Sequence, residues 1–543
     1  MSQTLAGSSD PVMADTYDVV VAGAGHNSLI TAAYAARAGF RVLVLEANQQ
    51  IGGDATSEPL TLPGFLHDSC ASAHNLIQSN PMLRNNELQL DRHGLEYIRP
   101  DPVVVMPFLD GETLTMSLDL DRTAAELARF SAHDAKAYRS LLADWELMAP
   151  VVGEERANPP RLPSEVAART EASPMGPAME RIRRCSALDV INERFEEPHV
   201  RAFFAWMAFM TVEAIDQPGS GLLAFSLVAG RQRSGWTTPR GGSIRLPLAL
   251  AAVIEEAGGR VMTSKPVRRI LLEGGRAVGV ETADGSRFEA RRAVVSTIHV
   301  KHLLGMVGEQ HLPAPFIDSI NRWKPSIGMF ATHYALSEAP RFGAGGGRDS
   351  VAVAALESVD ELCALLADER SGRIHLDEPV LLVITSSLVD ASRAPAGQHT
   401  FKVVTFVPYD LQGGAQRWDD LKADVSATLF EKLCRLSPNL SRRIVLAEHV
   451  ESPLDMERRN PANWHGSCHG GAATPDQTGY FRPAAGWSSY RTPIEGLYQT
   501  GACTHPGGSI SGLPGRNCAS VLLGDLGSSL NEVIGTKSLA AKP

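Results

Sequence analysis

Asp18-Val19-Val20-Val21-Ala22-Gly23-Ala24-Gly25-His26-Asn27-Ser28 reads as a strand, a glycine turn and a helix start in one run. Gly23 permits the tight turn, and Gly25 lets backbone N–H groups approach a pyrophosphate at the helix N-terminus. The helix, Ser28 to Arg37, is alanine-rich and stops at Gly39, and Arg41-Val42-Leu43-Val44-Leu45 follows as a buried parallel strand. Glu46 closes that strand, where a ribose hydroxyl needs an acceptor. The third glycine of G-x-G-x-x-G is Ser28 here, small enough for close helix packing. A lone glycine fingerprint is a weak sign. Strand, helix and acidic residue at their offsets make it a strong one, and the expectation is a dinucleotide-binding α/β unit.

A second glycine turn, Ile51-Gly52-Gly53-Asp54-Ala55-Thr56, comes close behind Glu46, with Ala47 between. The pattern predicts a helix from Thr123 to Ala149, a proline-rich loop from Pro150 to Pro177, and an apolar helical stretch from Arg181 to Val228. A helix over Ile244–Ala257 ends at Gly258-Gly259. Arg260–Thr263 restarts as a strand, and Val267–Val280 has hairpin character. Ala293–Thr297 is a further strand. From Trp323 to about Val450 the runs suggest a sheet with few helices, and Gly343 to Gly347 a surface loop. A third glycine turn, Ser511-Gly512-Leu513-Pro514-Gly515, precedes a final helix from Asn517 toward Ile534. The expected division is a discontinuous one. Residues 15–75, 236–300 and 490–543 build the nucleotide domain; 76–235 (helical) and 301–489 (sheet) build an α+β substrate domain.

The 543 residues suffice for a large core, and ordinary apolar and charged fractions argue against disorder. A formal charge of -10 without Lys/Arg clusters excludes nucleic acid as an expected partner. Seven scattered cysteines without a C-x-x-C pair point to reduced thiols, a cytoplasmic setting and no redox-active dithiol motif. Met1 to Thr16 lacks the features of a signal peptide and reads as a disordered leader. No apolar run reaches the ~18 residues of a membrane span, which leaves only peripheral membrane contact.

Three features favour FAD over NAD. Gly52-Gly53 offers a second phosphate-approaching turn, and the block Arg240–Thr297 returns to the nucleotide domain with Val267 at an adenine-contacting position. Gly501 to Asn517 can aim N–H groups and a helix N-terminus at a flavin and its pyrophosphate. The runs Gly23-Ala24-Gly25-His26-Asn27, Pro239-Arg240-Gly241-Gly242-Ser243, Phe481-Arg482-Pro483, Tyr490-Arg491-Thr492-Pro493 and Thr504-His505-Pro506-Gly507-Gly508 resemble the phytoene desaturase-related flavoproteins. Within that family the resemblance is to the branch with the desaturase-type carotene ketolase and pyridine nucleotide-disulfide oxidoreductase domain-containing protein 2. It implies a glutathione-reductase-like Rossmann domain holding FAD non-covalently. Carried over by position, Gly23, Gly25, His26, Asn27, Glu46, Gly53, Val267, Gly501 and Leu513 would line the cofactor. Ser28, Ala47, Gly52, Asp54, Ala55, Gly512 and Pro514 complete the expected cofactor site.

One dinucleotide fingerprint without a C-x-x-C pair argues against an NAD(P)H-to-disulfide route. The expectation is dehydrogenation of an apolar small molecule (isoprenoid-, lipid- or aromatic-type), with the flavin reoxidised by oxygen or a quinone. Two alternatives stand beside it: an amine-oxidase-like oxidase of a small amine or aromatic compound, and a non-catalytic prenyl- or lipid-binding protein on the same fold. His505 is the candidate proton shuttle, or else a residue that only shapes its turn. Phe203 to Met210 is read as a buried core helix, with a tunnel lining as the sharper reading. His465, Cys468 and His469 form H-x-x-C-H, yet no fourth ligand at zinc spacing accompanies them, so no metal is expected. His67 and His74 read as structural anchors, and Cys503 as a buried inert thiol.

Overall fold

The computed structural model describes residues 15–210, 212–343 and 349–540. The expected leader, apart from Asp15 and Thr16, lies outside them, as does the glycine-rich loop after Gly343. Val19–Ala22 forms the parallel centre of the first sheet, paired with Val42–Leu45 on one side and Ala293–Ser296 on the other. The full order is Val267–Glu273, Arg276–Thr282, Arg287–Ser296, Asp15–Ala22, Val42–Leu45, Arg260–Met262, with Leu497–Gln499 joined to Arg287–Ser296. Alternation along the strand sorts its side chains. Val19 and Val21 enter one core with Ala32, Ala33 and Leu250, while Val20 enters another with Leu43, Ile270 and Val294. Helices His26–Arg37, Arg245–Glu256 and Leu513–Asp525 cover the first of these faces.

The second sheet runs Val445–Glu451, Gly328–Leu336, His399–Val407, Leu381–Ile384, Ala352–Ala355, Val104–Pro107, Thr113–Met116. Its last two strands come from a stretch expected to be helical. They are short, and only pairing with Ala352–Ala355 (Val105 to Val353) brings them into a sheet. One face packs on helix Pro198–Phe209, the other on Trp418–Cys434. Phe203, Phe204, Trp206, Met207 and Phe209 are fully buried in the first of these cores.

Two helix expectations are corrected. The helix Ala132–Arg156 runs through Pro150, because burial of Met148 and Val152 on either side outweighs the lost backbone bond. Beyond it, Pro163 and Pro177 sit in the first turns of helices Pro163–Glu171 and Gly176–Arg184, where a missing N–H costs nothing, while Pro159, Pro160 and Pro174 lie in loops as expected. The stretch Arg181–Val228 is divided among four helices rather than continuous. The region 323–450 also carries Val359–Arg370 and Trp418–Cys434. The last helices are Leu513–Asp525 and Leu530–Ala540. Among the described residues no helix is long and apolar enough to cross a membrane.

Candidate active site

The first turn leaves the helix His26–Arg37 without a side-chain cap. Gly25 is its N-cap, so the amides of the first helical turn have no side-chain acceptor. An added Cβ at Gly25 would meet nothing within 4 Å; the open space above this glycine is the cradle itself. Gly23 has φ +96°, and an added Cβ would sit 2.5 Å from Thr297 Cγ2. Ser28 Oγ donates toward the carbonyl oxygens of Gly23 (2.7 Å) and Gly25 (3.0 Å), tying the helix to its own turn. The second turn locks onto the first through Gly52 N–H to Ala24 O at 2.8 Å. Asp54, whose carboxyl is raised by burial, accepts from Asn460 and Asn463, each at 2.9 Å.

Glu46 accepts from the Ala24 amide (2.8 Å) and the Asn48 amide (2.9 Å), one on each carboxylate oxygen. Each oxygen keeps a lone pair for a further donor. Burial raises this carboxyl above its ordinary value, with the Asn48 and Ala24 amides acting against the rise.

The third turn is built from two sides. Asn27 Oδ1 accepts from the Gly515 amide at 3.3 Å, and Thr31 Oγ1 donates to the Gly515 carbonyl at 2.9 Å. Gly515 has no room for a Cβ, which would lie 2.3 Å from the Asn27 carbonyl oxygen. From the other side, Asn80 Nδ2 donates to the Ser511 carbonyl at 2.8 Å. Beside Gly501, Arg482 of the Phe481-Arg482-Pro483 run is buried and donates to five carbonyls, those of His469, Gly471, Ala472, Gln477 and Ala502. Its guanidinium thereby holds the loop 469–477 against Gly501-Ala502.

The three turns open into one cavity of about 1070 Å³, at the upper end of the roughly 300–1,000 Å³ usual for ligand sites. Gly23, Gly25, His26, Asn27, Glu46, Ala47, Gly52, Gly53, Asp54, Val267, Gly501 and Leu513 all line it. Ser28, Ala55, Gly512 and Pro514 do not; they stand behind the wall and shape the turns. Beyond the turns the wall is apolar: Met210, Val212, Trp236, Met329, Leu382, Ile384, Val404 and Phe406. Of the aromatic stretch Phe203 to Met210, only Met210 reaches it, so that helix is core.

Charged residues unforeseen from the sequence also reach the cavity. Lys402 Nζ is buried and donates to the carbonyls of Cys70 (2.6 Å), Asp68 (3.1 Å) and Ser69 (3.3 Å), and burial lowers its ammonium below the ordinary value. Arg156 and Arg231 line the wall too. Cys70 and Cys468, distant in sequence, both line the cavity, and the Cys468 thiol together with burial pushes the Cys70 thiol well up. Nothing local in the sequence marks any of these.

His505 sits elsewhere than expected. Its Nε2 donates to the Glu155 carbonyl at 3.0 Å, its own carbonyl accepts from Tyr490 Oη at 2.7 Å, and it does not line the cavity. Burial lowers its imidazole to about 4, so it stays neutral while it ties the turn to helix Ala132–Arg156. Of the two readings of His505, this placement is that of a residue that shapes its turn. Cys503 is buried, its thiol pushed up to about 11 by burial. His465 stacks on Tyr409 (4.6 Å between ring centres), whereas Cys468 and His469 face the cavity. His74 lies between Tyr97 (3.2 Å) and Ser243 (3.0 Å), and His67 beside Thr61 (2.8 Å), both as anchors.

An uncapped helix terminus, a ribose-reaching carboxylate and a continuous cavity running on to an apolar wall together fit an FAD molecule. Comparison with known proteins agrees. The flavin containing amine oxidoreductase family matches residues 29–513. Pyridine nucleotide-disulfide oxidoreductase domain-containing protein 2 of Mus musculus is 29% identical over 94% of this chain and 94% of its own. A limonene dehydrogenase subunit from Castellaniella defragrans is 29% identical over 94% of this chain and 95% of its own. Among solved structures, a putrescine oxidase mutant superposes with a TM-score of 0.62 at 14% identity, covering 96% of this chain and 99% of that one.

Proposed function

The chain belongs to the flavin containing amine oxidoreductase family and is an FAD-dependent oxidoreductase; from that premise we propose that it dehydrogenates an apolar small molecule and passes the electrons to oxygen or a quinone. The observation that carries this reading is the wall beyond the glycine turns. Met210, Val212, Met329, Leu382, Ile384, Val404 and Phe406 present hydrocarbon to the space next to the cofactor cradle. Such a surface binds by excluding water, at about 25 cal/mol per Å² of apolar area covered.

Bound in the cradle, FAD supplies the two-electron acceptor for the two hydrogens that the substrate loses. The chain's residues do the rest. The first-turn amides of helix His26–Arg37 would receive the pyrophosphate and Glu46 would accept from a ribose hydroxyl, while Arg482 holds the 469–477 loop and Gly501-Ala502 as one wall. The apolar side chains keep water from the reacting carbon. A similar reading is supported by the relative named as part of a limonene dehydrogenase.

Oxidation of a small amine is the weaker reading, because a protonated amine would meet Lys402 and Arg231 in the wall. Family membership sets aside a non-catalytic lipid-binding role. The test is anaerobic addition of neutral monoterpenes, apolar acids and primary amines to flavin-loaded protein. Bleaching of the visible flavin band by a terpene or an apolar acid is expected. Bleaching by amines alone would overturn the reading.

A further inference from the structure

Helix Leu223–Ser234 carries Arg231 to the cavity wall, together with Ser226, Leu227 and Gly230. Its guanidinium carbon lies 4.3 Å from the centre of the Trp236 ring. Stacking fixes the plane of the guanidinium and leaves its N–H edge to find acceptors. None is provided. Nη1 is buried without a hydrogen-bond partner, and so is Trp236 Nε1 beside it. Among the described residues no carboxylate pairs with Arg231, and burial, with nothing opposing it, lowers the group to about 10, still charged at neutral pH. Two other arginines of the wall differ in this respect. Arg233 meets Glu146 at 2.5 Å, and Arg516 meets Glu87 at 2.9 Å.

An unpaired guanidinium in an apolar wall is costly, and an anion arriving with a ligand removes that cost. We propose that Arg231 receives a carboxylate of the substrate, so that the natural substrate is an apolar molecule carrying one acid group rather than a neutral hydrocarbon. A planar carboxylate matches the guanidinium edge better than a hydroxyl does, because it can take two N–H groups at once. The assignment rests on the reading above, in which the apolar wall binds the substrate body. It adds the end of the molecule that the wall does not explain.

The experiment titrates flavin-loaded protein with octanoate, 1-octanol and octylamine, following the change in the flavin absorption band. The wild type binds octanoate at least about tenfold more tightly than octanol, as a charge-assisted hydrogen bond implies, and octylamine most weakly. In Arg231→Gln the octanoate-to-octanol ratio falls to about one while octanol binding and flavin content stay unchanged. Arg231→Lys keeps the charge without the planar fork and retains part of the preference, which guards against a folding defect in the glutamine variant. Equal binding of octanoate and octanol by the wild type would overturn the assignment, as would a preference that survives in Arg231→Gln. Loss of flavin from Arg231→Gln would also overturn it, by placing the guanidinium on the cofactor. None of these probes needs to be oxidised, so failure here is distinct from failure of the flavin to bleach with an apolar compound.

Discussion

Arg482 donates from Nη2 to the carbonyl oxygen of Ala502 at 2.7 Å, and its Nε reaches the same oxygen at 3.2 Å. The same side chain serves four further carbonyls, so one cation joins two loops that meet only in space. A lysine has three N–H donors on one nitrogen and cannot span them. The Ala472 carbonyl also accepts from Gln477 Nε2, so Arg482→Lys leaves at least one of the other four buried carbonyls unpaired, at about 1–3 kcal/mol. The expected outcome is a lower unfolding midpoint together with reduced flavin content. A variant with wild-type midpoint and flavin content would show that the loops are held by other contacts.

Gly25 offers a cleaner separation of cofactor binding from folding. Its φ of -69° suits any residue, and a methyl group there would touch no protein atom. Gly25→Ala is thus expected to keep the stability of the flavin-free protein, while the methyl group fills the space that the phosphates need. A drop in flavin affinity of about tenfold or more corresponds to about 1.4 kcal/mol and is read by titrating the flavin-free variant with FAD. Unchanged affinity would move the phosphates away from this turn.

The turns around Gly23, Gly52 and Gly512 could be read from the chain because their chemistry is local: a strand, a glycine and a helix start within a few residues. The wall opposite them could not. Met210, Arg231, Trp236, Lys402 and Cys468 come from separate segments, with no shared period, and only the packing of the second sheet on the helices assembles them. Pro150 misled for a related reason. A proline is a local signal to stop a helix, and the buried Met148 and Val152 overrule it. His505 was plausible as an acid–base group from its place between strand and turn, but sequence order says nothing of direction, and its ring faces the Glu155 carbonyl.

His505→Gln follows from that direction. Glutamine can offer an N–H toward the Glu155 carbonyl, so turnover with any oxidised substrate is expected to stay within about twofold of wild type, with stability lowered by no more than about 1 kcal/mol. The comparison needs turnover per bound flavin and a thermal midpoint. A large fall in turnover at full flavin content would return His505 to the chemistry.

The buried pair Asp68–Arg393, at 2.9 Å, ties the loop after the second glycine turn to the second sheet and gives a pH signature. Burial by itself would raise the Asp68 carboxyl. The Arg393 charge, the Ser243 amide (2.9 Å) and Ser57 Oγ (2.6 Å) together outweigh burial and hold it below the ordinary carboxylate value. A carboxyl that is more acidic in the folded than in the unfolded chain stabilises the fold above its unfolded value of about 3.9, and that contribution drains away as pH falls through the lower, folded value. Asp68→Asn removes the charge and strands Arg393, at a cost of about 3–5 kcal/mol near neutral pH. Urea unfolding of both proteins across a pH series is therefore expected to show the largest difference near neutrality and a shrinking one below pH about 4. A difference that stays constant down to strong acid would mean that the hydrogen bonds of Asp68, not its charge, hold the loop to the sheet.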